Sequence, residues 1–419
     1  MLELFPDTAR VEAGELAIGG IASSELAERF GTPLVVYCED TVRSRARALR
    51  GAAGEDGRVF YGTKAFPNVA LLRLLREEGV GADVASAGEL AFARAAGVAS
   101  GELVVHGNNK DAALLEEAAK ERAIVVLDAP DEAGLAASAR VERVLVRVTF
   151  GVDADTHEAI VTGHHGSKFG LPPAHALALI TDALGRGLDV LGLHVHVGSQ
   201  LPDFTAQAET IRRLAEFASE SRDALGWETQ IVDLGGGFGI RHHPEDTVPE
   251  AAELATAAAT TARRAFVDAG LPAPSVWLEP GRCLVGRAGV TVYRVGAVKR
   301  LDDRTWVAVD GGMSDNPRPQ LYDARYTALS AERADERADE IVSVAGMHCE
   351  SGDVLIDDVA LPAPRRGDLL AVPATGAYTL AMSSNYNGVP RPAALLVRGG
   401  EARVIRRRET VDDLLRLET

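Results

Sequence analysis

Between residues 58 and 281 the chain alternates short apolar runs with longer stretches whose apolar residues recur at helical spacing. The apolar runs fall at Arg58–Tyr61, Gly81–Ser86, Leu103–Gly107, Ala123–Asp128, Val144–Phe150, Val190–Gly198, Gln230–Gly237 and Ser275–Gly281. Most are separated by segments rich in Ala, Leu, Glu and Arg, such as NVALLRLLREEG and AGELAFARAAG. Eight strands alternating with helices over about 225 residues predict an α/β fold, a parallel (β/α)8 barrel of the TIM type.

The flanks have a different texture. Residues 11–36 hold a short strand-like piece (15–21), a helix (24–30) and a second strand (33–37), and EDTVRSRARALR reads as an amphipathic helix with Asp40 near its cap. After Gly281, alternating β-branched segments separated by Gly, Pro and Asp turns predict a mostly antiparallel β-domain. ERADERADE reads as an exposed loop or short helix, and the tail TVDDLLRLET as a short amphipathic helix packed on the surface.

Composition narrows the class. At 419 residues the chain has room for two domains, and 46% hydrophobic with 25% charged residues describes an ordinary soluble protein. No apolar run is long enough to cross a bilayer and the N-terminus has no signal-peptide pattern, so a cytoplasmic protein with no membrane partner is expected. Three cysteines without a close pair argue against a disulfide framework or a zinc site, and no metal is expected. A net charge of −17 makes nucleic acid a poor partner.

The chemistry starts at FYGTKAF. Lys64 follows the run Val59–Tyr61, and a lysine at the inner end of a buried strand is costly unless its amine has work to do, such as forming a Schiff base. In a barrel, functional groups collect at the C-terminal strand ends, and phosphate often binds after strands seven and eight. That places DLGGGFG (233–239) and EPGR (279–282) at the phosphate end: three glycines leave N–H groups free to approach an anion, and Arg282 adds a fork of donors. The cofactor needing both a phosphate cradle and a Schiff-base lysine is pyridoxal 5′-phosphate. Its pyridine nitrogen needs a carboxylate, which Glu279 is placed to supply. Its ring needs a flat partner, and HVHVGS offers His194 or His196, which alternation puts on the same side. Ser199 adds a hydroxyl for the phosphate. Arg147 in strand five is either a cation facing the ring's phenolic oxygen or a member of a structural ion pair.

These residues sit in blocks, namely FYGTKAF, GADVASAGEL, HGNNK, GVDADTHE, SKFG, GLHVHVGSQ, DLGGGFGI, EPGR, DGGMSDNPRPQLYDARY, HCESGD and GAYTLAMSSNYNG, whose order resembles the diaminopimelate decarboxylases of the alanine-racemase-like, fold-type III pyridoxal-phosphate enzymes along nearly the whole chain. The resemblance implies a pyridoxal-phosphate barrel (35–281), a β-domain (282–419) and an N-terminal segment (1–34) that joins the β-domain. It makes Lys64 the Schiff-base lysine and selects His196 as the stacking ring. Asp83, Arg147, Gly236 and Gly281 join the cofactor site; Ser199, Gly237, Arg282 and Tyr378 hold the phosphate, and Glu279 faces the pyridine nitrogen. Arg282, Arg318, Tyr322 and Tyr378 grip the carboxylates of an amino-acid substrate, and Glu350 reads its distal ammonium. The family pairs as head-to-tail homodimers in which the CES turn reaches the partner's site, so Cys349 becomes the proton donor to the α-carbon. The implied reaction is decarboxylation of meso-2,6-diaminopimelate at its D-centre, giving L-lysine. The alternative is a related decarboxylase acting on D-ornithine, a D-lysine-like substrate or a carrier-bound glutamyl group. Thr63, Phe66, Phe150 and the AGMHCESGD spelling depart from the commoner family text.

Overall fold

Eight parallel strands close into a barrel: Arg58–Gly62, Gly81–Val84, Leu103–Val105, Ile124–Leu127, Arg143–Arg147, Asp189–His194, Ile231–Asp233 and Ser275–Leu278. Each pairs with the next, and the eighth returns to the first through Trp277↔Arg58 and Leu278↔Val59. This is a computed structural model, describing residues 1–152 and 167–419; most of the GVDADTHE block lies outside the described residues. The chain divides into two units, the barrel unit (Arg45–Ile240 with Val248–Cys283) and a second unit (Met1–Ser44, Arg241–Thr247 and Leu284–Thr419).

Apart from the first, which runs one residue further to Gly62, the strands are shorter than the apolar runs that predict them. Strand six ends at His194 and strand seven at Asp233, so His196 and the three glycines lie on loops beyond the sheet. The barrel interior is filled by Phe60, Val104, Ile124, Val126, Leu145 and Trp277, with the Phe60 and Trp277 rings 5.0 Å apart. A packed floor of this kind confines chemistry to the loop end. The helix after strand one, Val69–Glu77, starts where Asn68 Oδ1 accepts from the Ala70 and Leu71 N–H groups at 2.9 and 3.2 Å. Such a cap stabilises by about 1 kcal/mol. The helix buries Leu71, Leu72, Leu74 and Leu75, each contributing roughly 2 kcal/mol. Cap and packing together pin the single turn Thr63–Ala65 that carries Lys64.

The second unit is built on a mostly antiparallel sheet in the order Val354–Leu361, Glu340–Ala345, Thr305–Val309, Gly289–Arg300, Leu34–Cys38, Ala393–Arg398 and Glu401–Arg406. Leu34–Cys38 opens the stretch given to the barrel by resemblance, but it pairs antiparallel with Gly289–Arg300 and parallel with Ala393–Arg398. All five of its residues are buried, as a central strand covered on both faces requires. Two apolar clusters form the unit's core, one around Phe5, Leu16, Val36, Val290 and Leu395, the other around Tyr293, Val307, Val344, Leu355 and Leu370.

The tail helix, Val411–Leu415, does not pack as expected. Val411 is 61% exposed, Leu415 59% and Leu417 83%. Five residues make little more than one turn, too few to bury a face. The turn is held instead by a Thr410–Asp413 capping box and the Arg407–Asp413 ion pair.

Candidate active site

At the loop end of the barrel, Lys64, Asp83, Ala85, Glu89, His106, Arg147, Phe169, His194, His196, Gly236 and Glu279 line a cavity of about 210 Å³. Six residues expected at the cofactor from sequence therefore share one space: Lys64, Asp83, Arg147, His196, Gly236 and Glu279.

Lys64 departs in part from its expected setting. Its neighbours Thr63 and Ala65 are fully buried, and Thr63 Oγ1 donates to the Asp83 carbonyl at 2.6 Å, but Lys64 itself is exposed. The turn is buried while its one long side chain stands in the mouth of the cavity. Burial is the main influence on the groups around it, raising Asp83 and Glu279 and lowering His106 and His196; the charge of Lys64 partly opposes the first two shifts and adds to the others.

Glu279 carries the densest set of contacts. Oε1 lies 2.6 Å from His106 Nε2, and Oε2 lies 3.1 Å from His194 Nε2. Burial drives His106 down to about 4 and His194 well below the usual histidine range, so both rings are neutral and each donates its Nε2–H to the carboxylate. The rings meet edge-on at 4.8 Å. Burial also raises Glu279 to about 7 and Asp83 to about 7, the latter with His106 Nε2 3.8 Å away. Asp233 is pushed well above its usual range, first by burial and then by the charge of Glu279. His106, His194 and Glu279 place one ligand atom each within 4.8 Å of one another, the spacing of a metal group, and here each histidine Nε2 is hydrogen-bonded to the Glu279 carboxylate.

The geometry separates the two histidines that alternation left equivalent. His194 is committed to Glu279. His196 Nδ1 accepts from the Gly236 N–H at 3.2 Å, and burial lowers its pKa well below the usual range, leaving a flat neutral ring on the cavity wall. Arg147 lines the cavity and forms the ion pair of the second reading, 3.6 Å from Asp128, with its guanidinium 4.7 Å over the Phe169 ring.

The glycine turn is more constrained than its sequence suggests. Gly235 N–H donates to Asp233 Oδ1 at 2.8 Å and Gly236 N–H to His196, so two of the three amides are already engaged. Gly237, at φ +94°, keeps an N–H with no partner among the described residues. A Cβ on Gly236 would meet the Glu279 carbonyl at 2.5 Å, and one on Gly237 the Gly198 carbonyl at 2.5 Å. Close packing of backbone between loops by itself requires glycine at both positions. Arg282 is buried, with Nη2 3.1 Å from Ser199 Oγ, and Gly281 lies close against Gly62. An amine at the mouth, a flush glycine turn, a neutral aromatic wall and a buried carboxylate together fit pyridoxal phosphate.

The remaining predicted residues belong to the second unit. Arg318 is buried, with Nη1 2.6 Å from Tyr326 Oη and 2.9 Å from His242 Nε2. Tyr322 is half-buried. Cys349 and Glu350 are exposed on one turn; Asn387 Oδ1 accepts from the Cys349 N–H at 3.0 Å, and the Tyr386 hydroxyl donates to Glu350 at 3.4 Å. Tyr378 sits at φ +59°, left-handed backbone that a bulky residue seldom adopts.

A family model described as "Pyridoxal-dependent decarboxylase, pyridoxal binding domain" matches residues 39–286. The diaminopimelate decarboxylase of Bacillus methanolicus is 42% identical over 97% of this chain and 97% of its own, and that of Actinosynnema pretiosum 46% identical over 99% and 95%. The chain belongs to the diaminopimelate decarboxylase family. The crystal structure of the M. jannaschii family member in complex with L-lysine superposes with a TM-score of 0.92 at 34% identity, covering 99% of this chain and 98% of that one. The barrel and antiparallel domain expected of a fold-type III decarboxylase are both present, and the cofactor of this decarboxylase is pyridoxal phosphate.

Two features of the site go beyond the residues expected from sequence, His106 and the pairing of His194 with Glu279. The available signal is the HGNNK block: a histidine directly after the buried strand Leu103–Val105, at the end of the barrel where chemistry collects.

Proposed function

We propose that this family member removes carbon dioxide from the D-centre of meso-2,6-diaminopimelate and releases L-lysine. The observation that carries the reading is the shared cavity of Lys64, Asp83, Arg147, His196, Gly236 and Glu279 in a chain more than 40% identical to curated diaminopimelate decarboxylases. When bound, pyridoxal phosphate supplies an electron sink for the pair left by the departing carboxylate.

The chain's residues do the rest. Lys64 holds the cofactor through its amine. Glu279, braced on both oxygens by neutral histidines, keeps a carboxylate where it favours a proton on the pyridine nitrogen. Asp83 stands beside this arrangement, and Arg147 offers a cation to the ring's phenolic oxygen. His196 would offer its neutral ring as the flat surface on which the cofactor stacks. Gly236, Gly237, Gly281, Ser199, Arg282 and Tyr378 hold the phosphate. Arg318, Tyr322, Arg282 and Tyr378 grip the substrate carboxylates, Glu350 reads the distal ammonium, and Cys349 delivers a proton to the α-carbon. These roles rest on the motif correspondence. For Arg318 there is added physical support: a buried guanidinium whose contacts are neutral groups favours an anionic ligand.

The exposed Cys349–Glu350 turn supports a head-to-tail homodimer in which each copy completes the other's site. Three free cysteines suit a cytoplasmic setting, and among the described residues no helix is long and apolar enough to cross a membrane. The test is to supply purified protein with pyridoxal phosphate and meso-diaminopimelate and to measure carbon dioxide and L-lysine. Faster carbon dioxide release from D-ornithine, D-lysine or a carrier-bound glutamyl group, or none from diaminopimelate, would replace the reading.

A further inference from the structure

The geometry points to His242 as a positioning residue for Arg318, fixing which edge of the guanidinium is left for a substrate carboxylate; this rests on Arg318 acting as a carboxylate grip. Arg318 is 5% exposed and forms no ion pair among the described residues. Its Nη1 is held by His242 Nε2 at 2.9 Å and Tyr326 Oη at 2.6 Å. A guanidinium can only donate, so His242 must present a lone pair at Nε2, which makes the ring neutral with its proton on Nδ1.

The consequence is directional. Arg318 Nε is buried without a hydrogen-bond partner. With Nη1 taken by two neutral acceptors, the edge formed by Nε–H and Nη2–H remains, two parallel donors of the kind a carboxylate accepts in bidentate fashion. Neutral acceptors leave the positive charge uncancelled, so an incoming carboxylate supplies the missing partner. They also close off the other docking edge, so the anion enters in one register.

His242 is itself firmly held. Its ring meets the Tyr326 ring edge-on at 5.5 Å and 86°. Its backbone N–H and that of His243 donate to Asp246 Oδ2 at 2.8 and 2.9 Å. Arg325 pairs with Glu245 at 2.8 Å, a second tie between segment 241–247 and segment 318–326. The turn that carries the imidazole and the stretch that carries the arginine form one built piece.

The test compares wild type, His242→Leu and His242→Gln with meso-diaminopimelate and with D-lysine, which lacks the second carboxylate, read by its KM or inhibition constant. His242→Leu raises KM for the diacid about tenfold, leaves kcat within about twofold, and leaves the D-lysine constant unchanged. His242→Gln, whose amide oxygen can accept the same hydrogen bond, restores KM to within about threefold. A wild-type KM in His242→Leu, or equal losses for both compounds, overturns the assignment. The 15N shifts of His242 provide a readout independent of turnover: a bare Nε2 and protonated Nδ1 near neutral pH support it, and a protonated Nε2 refutes it. If wild type releases no carbon dioxide from diaminopimelate, the decarboxylase reading fails, and those shifts still decide whether His242 holds Arg318.

Discussion

The barrel cavity and the Cys349 turn hold their chemistry in opposite ways. Around the cavity, Asp83, His106, Arg147, His194 and Glu279 are all at least nine-tenths buried, and Glu279 is bonded on both oxygens before any ligand arrives. On the turn, Cys349 and Glu350 are exposed: their backbone is tied to Asn387, His348 and Asp353, but the one side-chain contact of the pair among the described residues is the long Tyr386 hydroxyl to Glu350 at 3.4 Å. Cofactor handling is thus built on the ends of barrel strands, where a packed floor fixes each side chain. The groups proposed to read substrate and deliver the proton sit on a turn that needs a further surface to enclose it. Preorganisation suits the half that meets one cofactor throughout; exposure suits the half that must admit substrate and release product.

Variants can break this contrast in order of size. Lys64→Ala, on the cavity side, lowers turnover by roughly 10³-fold and abolishes stable cofactor retention, read by gel filtration and phosphate content. Cys349→Ala, on the turn, lowers turnover by about 10²-fold yet retains the cofactor in full. Equal cofactor loss in both variants would erase the distinction. Asn387→Ala, which removes the acceptor for the Cys349 N–H, lowers kcat about fivefold with unchanged cofactor affinity.

A fourth prediction sharpens the electrostatics of the cavity. Burial raises Asp83 from 3.8 to about 7, so the folded apoprotein favours its protonated form. The sign follows: this contribution to stability is fully present below about pH 4 and is lost as pH rises through about 7. Apoprotein melting temperature should fall across that window. Asp83→Asn should flatten the decline, recovering on the order of 3–4 kcal/mol at neutral pH. An identical slope in the variant would show that the carboxyl is not desolvated as described.

How much is legible in the sequence follows from the same contrast. Strands such as Ile124–Leu127, buried on both faces, write themselves as apolar runs, so the barrel and its eight-fold count can be read directly. Glu279 and His196 stand out because polar residues directly after such runs fall at the loop end. The Glu279–His106 bond does not, because it joins residues 173 positions apart and depends on side-chain reach across the barrel mouth. Lys64 is reached through a premise of burial that holds for its turn and not for its side chain, since exposure is set by the cavity's opening. The glycine amides look free in the sequence because a glycine triplet does not reveal that Asp233 and His196 already engage two of them.

One amine at the barrel mouth is held to anchor the cofactor, and the chain has only five lysines (64, 110, 120, 168 and 299) among which to locate it. Borohydride reduction of the protein loaded with pyridoxal phosphate, followed by peptide mass mapping, reads the attachment point. The account predicts a pyridoxyl-phosphate adduct on the Lys64 peptide alone; an adduct on any of the other four, or none, would contradict it.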